Sequence, residues 1–145
     1  MKRLLSFVCA GLAVAAVAAT GLPARAEILS YKAELKGSSE VPPNQSKATG
    51  SISVSYDTTA KQLSWKGSYS GLTGPVTAAH FHGPALAGKN AGIAVGLQGA
   101  NLPVAFEGSA TLTDTQAADL MAGRWYFNLH TAAYPAGEIR GQVVK

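Results

Sequence analysis

Residues 50–56 read Gly-Ser-Ile-Ser-Val-Ser-Tyr, and this strict alternation is the strongest constraint on what the chain folds into. Side chains of an extended strand point to opposite faces in turn, so Ile52, Val54 and Tyr56 share one face and Ser51, Ser53 and Ser55 the other. The period recurs at residues 28–35, where Leu29, Tyr31, Ala33 and Leu35 oppose Ser30, Lys32 and Glu34. It recurs at residues 62–69, with Leu63, Trp65 and Tyr69 facing inward. The turn Asp57-Thr58-Thr59-Ala60-Lys61 joins residues 50–56 to residues 62–69 as a hairpin.

Shorter runs follow at residues 76–82, 93–97, 104–112, 124–131 and 138–144. Between them lie turn-forming segments such as Gly71-Leu72-Thr73-Gly74-Pro75, Gly83-Pro84 and Pro135-Ala136-Gly137, while Pro42-Pro43 fixes residues 37–50 as an irregular loop. Short strands at regular spacing with such turns indicate an antiparallel sandwich or barrel. One helix interrupts them. Thr113-Asp114-Thr115-Gln116 fits a capping box, Ala117, Leu120 and Met121 repeat at helical spacing, and Gly123 is the expected stop. The helix is expected to act as a lid over one end of the sheets, with Met121 packed into the core.

The chain opens on Lys2-Arg3 and an apolar run over residues 4–20, and Ala24-Arg25-Ala26 places small residues at the two positions a signal peptidase reads. Residues 1–26 are therefore expected to be a cleaved secretory signal and residues 27–145 the folded domain, with no membrane anchor after cleavage and a periplasmic or secreted location. Of the twelve basic residues, Lys2, Arg3 and Arg25 belong to that signal, which leaves nine against eight acidic ones. So even a charge balance points to neither nucleic acid nor an anionic membrane surface as partner. The single cysteine, Cys9, also lies in the signal. A domain without disulfides must stand on its core.

The chain has three histidines. His80 and His82 are two apart in a strand-like run, so both imidazoles project from one face with Phe81 on the other. His130 lies in a second run, Trp125-Tyr126-Phe127-Asn128-Leu129-His130-Thr131. If the fold brings the two runs together, three neutral imidazoles make a metal site of a kind that suits copper or zinc and leaves a coordination position open. Asn128, on the face of His130, could then orient a ring. The structural alternative is that the pair braces the Gly83-Pro84 turn. Other chemistry lacks its residues: there is no Gly-x-Ser-x-Gly elbow, no phosphate-cradling Gly-Lys-Ser/Thr loop, and the acidic residues are scattered.

Several stretches in order resemble the CHRD domain, named for its occurrence in chordin and common in exported bacterial proteins. They are Glu40-Val41-Pro42-Pro43, Ala79-His80-Phe81-His82-Gly83-Pro84-Ala85, Leu112-Thr113 with Gln116 and Leu120, Gly123-Arg124-Trp125-Tyr126-Phe127-Asn128-Leu129-His130-Thr131, and Pro135-Ala136-Gly137-Glu138-Ile139-Arg140-Gly141-Gln142. A weaker resemblance is to copper/zinc superoxide dismutases, whose His-x-His pair, late His and Arg near the chain end are similar in order and type to His80, His82, His130 and Arg140. No further histidines and no disulfide are left to match, so this resemblance implies a copper-only site. Together these give an expected all-β fold, an antiparallel Greek-key β-sandwich (immunoglobulin-like or superoxide-dismutase-like) with one short helix before the last two strands.

Two functions follow as expectations. One is an exported copper-binding domain with His80, His82 and His130 as ligands, where Arg140 attracts an anion such as superoxide to the open position. An ordinary role for Arg140 would be a salt bridge with Glu138, two residues away on the same strand face, or with another carboxylate. The other function is a metal-free module that holds a further exported protein through a sheet edge or through loops 37–50 and 132–137.

Overall fold

The alternating runs become strands β1 (Ile28–Lys36), β2 (Thr49–Asp57), β3 (Gln62–Ser70), β4 (Val76–His82), β5 (Ile93–Gly96), β6 (Ala105–Thr111), β7 (Tyr126–Thr131) and β8 (Ile139–Gln142). Helix α1 (Asp114–Met121) precedes the last two. This is a computed structural model that describes residues 26–97 and 101–145. The expected signal at residues 1–26 lies, but for Ala26, outside the described residues. Among the described residues no helix is long and apolar enough to cross a membrane.

The strands form one antiparallel sheet in the order β5-β4-β7-β8-β1-β2-β3-β6. It curls so far that its two halves face one another as in a nearly closed barrel. Phe81 of β4 meets Trp65 of β3 edge to face at 5.3 Å between ring centroids, and Phe127 of β7 stacks on Phe106 of β6 at 5.8 Å. Around these rings the inward positions of the alternating runs, among them Leu35, Ile52, Val54, Leu63 and Leu129, are buried. The fold is thus the expected all-β antiparallel one, with the short helix α1 in the expected place.

The seam between the halves is narrow. β8 meets β1 at Lys36↔Arg140, and Lys32↔Val144 adds an isolated bridge. Gly141 permits the approach, since a β-carbon there would lie 2.2 Å from the Glu34 carbonyl oxygen. Buried Glu138, just before β8, ties three further segments together. It accepts hydrogen bonds from Ser46 Oγ at 2.7 Å, from Thr73 Oγ1 at 2.8 Å and from Thr131 Oγ1 at 2.6 Å.

Helix α1 carries its capping box: the Gln116 amide donates to Thr113 Oγ1 at 3.2 Å and the Thr113 amide to Gln116 Oε1 at 2.9 Å. Gly123 stops it with φ +70°. Ala117 and Leu120 enter the core, but Met121 is 47% exposed and does not pack there as expected. An eight-residue helix buries only a narrow stripe, and Met121, in its last turn, falls beside that stripe. Asp119 is buried instead and pairs with Arg124.

Candidate metal centre

Because Phe81 is committed to the core, the alternation of β4 sends His80 and His82 to the outer face of the sheet. Strand β7 lies alongside with His80↔Asn128, His82↔Tyr126 and Ala78↔His130 in register. The outer face of β7 therefore presents Tyr126, Asn128 and His130 to the histidine pair. One ring nitrogen from each of His80, His82 and His130 can be chosen so that all three lie within 4.8 Å of one another.

Hydrogen bonds decide which nitrogens these are. His82 Nδ1 donates to the Ala91 carbonyl at 3.0 Å, and His130 Nδ1 donates to the Pro135 carbonyl at 3.0 Å. A carbonyl only accepts, so each ring carries its proton on Nδ1 and keeps a lone pair on Nε2. His80 Nδ1 lies 3.2 Å from His130 Nε2 and donates to it. The His82 Nε2 lone pair is buried without any partner. Such an orphaned lone pair, on a ring grouped with two further imidazoles, is a donor suited to a cation.

Electrostatics favour the neutral rings that a metal requires. Burial holds His80 below the ordinary imidazole value, with His130 and His82 adding to the effect. Burial likewise lowers His82, against the opposing bond to Ala91. His80 and His130 are only partly buried, so the cluster has a side toward solvent.

Two neighbours complete the geometry. The Tyr126 ring stacks on His82 with centroids 4.8 Å apart and planes within 4°, and its hydroxyl meets the Ala91 amide at 3.2 Å. The Arg140 guanidinium carbon sits 3.4 Å over the Tyr126 ring. One ring face cannot hold both at these distances, so Tyr126 lies between Arg140 and His82, as the strand order β4-β7-β8 also requires. Arg140 donates to Asn90 Oδ1 at 2.8 Å and to the Lys89 carbonyl.

The structure thus brings His80, His82 and His130 together and sets Arg140 behind Tyr126. It corrects the pairing of Arg140 with Glu138. Alternation orders side chains only within a strand, and Glu138 precedes β8, where its carboxylate turns to Ser46, Thr73 and Thr131. Asn128 is buried beside Glu40 and close enough to His82 to favour that ring's charged form, but it makes no well-aligned hydrogen bond to a ligand ring. Burial pushes the Glu40 carboxyl up to about 7, against the opposing influence of Arg140 and Asn128. Sequence reasoning missed Ala91, Pro135, Tyr126 and Glu40. Of these only Tyr126 left a signal, since it shares the alternation of Asn128 and His130.

A protein-family model described as the CHRD domain matches residues 31–143, from within β1 to beyond β8. The chain belongs to the CHRD family. No curated protein and no solved structure matches it significantly. The family match spans all three histidines of this CHRD domain, together with Glu40, Tyr126 and Arg140. Within it the donor set is all imidazole: the described residues hold no cysteine, and their one methionine, Met121, is exposed on α1.

Proposed function

We propose that this CHRD domain is an exported copper-binding module, with the ion held by Nδ1 of His80 and Nε2 of His82 and of His130. The observation that carries the reading is that His82 has a buried, unpartnered Nε2 and that one ring nitrogen from each of His80, His82 and His130 lies within 4.8 Å of the others. The backbone carbonyls of Ala91 and Pro135 support it, because each fixes the tautomer that leaves Nε2 free. To ligate, His80 gives up its Nδ1 proton and becomes the Nε2–H tautomer, so that the site exchanges one hydrogen bond for metal bonds. Imidazoles suit copper, and among common divalent ions copper binds nitrogen sites most tightly. Copper in such a site supplies a one-electron couple, and the solvent side leaves room for a small anion such as superoxide. The pattern of residues 1–26 supports a periplasmic or secreted location.

A second reading, a metal-free module for protein interaction, draws support from the His80–His130 hydrogen bond, which lets these two rings pack without an ion. A copper titration of the domain decides between the two. One-to-one binding with nitrogen hyperfine structure in electron paramagnetic resonance is expected. Replacing His80, His82 or His130 by Ala should weaken binding by more than about 100-fold, since losing a ligand outweighs the roughly 10–100-fold cost of losing a ligand's support. Binding that is absent, or indifferent to all three substitutions, returns the histidines to a structural role.

A further inference from the structure

We infer that Arg140 is a positioning residue for His82, acting through the Tyr126 ring and through the loop at residues 83–92, and that it meets neither an ion nor an anion itself. This rests on the reading of His82 as a ligand, though the positioning itself belongs to the protein without metal.

Two contacts fix the His82 ring. Its face is set by Tyr126, and its edge by the Ala91 carbonyl. Both lead back to Arg140. The guanidinium covers the far face of Tyr126 at 3.4 Å, so the phenol ring is held between two planar groups. Its N–H groups meanwhile bind the Lys89 carbonyl and Asn90 Oδ1, the two residues that lead into Ala91. Asn90 Nδ2 in turn donates to the Val41 carbonyl at 3.1 Å, and the Gly83 amide to the Gly92 carbonyl at 3.2 Å. Lys89 and Asn90 are exposed, whereas Arg140, which holds them, is 2% exposed. A single side chain of β8 thereby sets both the plane and the proton position of a ring on β4.

The arrangement needs a guanidinium. A planar group can stack with its face while donating from its edge in two directions, which a lysine ammonium cannot do. The same geometry speaks against attraction of an anion to the histidines by Arg140, because one N–H of each terminal nitrogen is engaged by the loop and the Tyr126 ring stands between the guanidinium and the histidines.

The test uses R140K and R140Q, with Asn90→Ala as a surface variant that removes the side-chain hydrogen bonds to Arg140 and to the Val41 carbonyl and leaves Arg140 and Tyr126 in place. Long-range proton–nitrogen NMR of the metal-free protein at neutral pH should show His82 and His130 as Nδ1–H tautomers in the wild type. In R140K and R140Q the His82 pattern should average between tautomers while His130, tied to Pro135, keeps its own; N90A should move His82 in the same direction to a smaller extent. Copper affinity should fall by about 10–100-fold in R140K and R140Q. The inference is overturned if His82 is unchanged in the variants that fold, or if His130 averages together with His82, which would mark general loosening. It is also overturned if copper affinity holds and only the binding of azide to the copper-loaded protein weakens. Should the wild type bind no copper, the proposed function fails while the NMR comparison still decides the role of Arg140.

Discussion

Glu40 is a carboxyl whose Oε1 has no hydrogen-bond partner and whose side chain is almost wholly buried. Its proton is held up to about 7, from an ordinary value of 4.5, because burial penalises the charged form more than Arg140 and Asn128 favour it. A raised carboxyl destabilises the fold as pH rises from 4.5 through 7, where the native state must release a proton that the unfolded chain has already lost. At 1.36 kcal/mol per unit this cost reaches on the order of 3 kcal/mol at pH 8. E40Q should therefore raise the melting temperature at pH 8 and change little at pH 4.5; an equal effect at both would contradict the assignment. His80 and His82 run the other way, since their depressed values make stability complete above 6.5 and lost as pH falls below it. The variant therefore needs comparison with wild type at each pH. Among these residues, alternation alone makes the shared face of His80 and His82 legible in the sequence. Nothing in Glu40-Val41-Pro42-Pro43 signals burial, because a loop residue's environment is set by what folds over it.

At the scale of elements, the period-two runs are legible almost to the residue, since apolar alternation and strand direction are the same physical fact. The capping box and Gly123 mark α1 equally well. The β1–β8 seam is not legible: it depends on how closely two distant backbones approach, and the only trace is a glycine that reads like any other. Gly141→Ala places a β-carbon 2.2 Å from the backbone oxygen of Glu34, where no side-chain rotation gives relief. Overpacking of this kind costs about 1–3 kcal/mol or more. Chemical denaturation of G141A should show at least that loss, while a seam that simply widens without cost would leave the midpoint unmoved. The loop at residues 83–92 is equally opaque. Its small residues look like filler, yet they supply the carbonyl on which His82 is aligned.

Across the whole molecule, Glu138 joins the β1–β2 loop, the β3–β4 loop and β7 through Ser46, Thr73 and Thr131. Burial alone would raise its carboxyl, but the hydrogen bonds from Thr131, Ser46 and Thr73 more than offset this and hold it below the ordinary value. Its contribution to stability is therefore present above pH 4.5 and lost as pH falls through that depressed value. E138A leaves the buried Thr131 hydroxyl without its acceptor, at about 1–3 kcal/mol, and releases the more exposed Ser46 and Thr73 from the same carboxylate. It should lower the melting temperature more than any change on the exposed serine face of β1–β2–β3; a loss confined to pH below 4 would refute this. Periodicity reveals the strands of the two halves of the sheet but not their order, which is fixed by contacts between residues far apart. The histidine cluster has the same dependence. His80 and His130 are fifty positions apart and meet only when β7 docks on β4. A newly made chain offers copper two neighbouring imidazoles at most, a weak and exchangeable grip. The third arrives with the closing of the sheet, so on the proposed reading full capture of the ion is a late event that reports folding complete and, by binding only the finished state, resists its reversal.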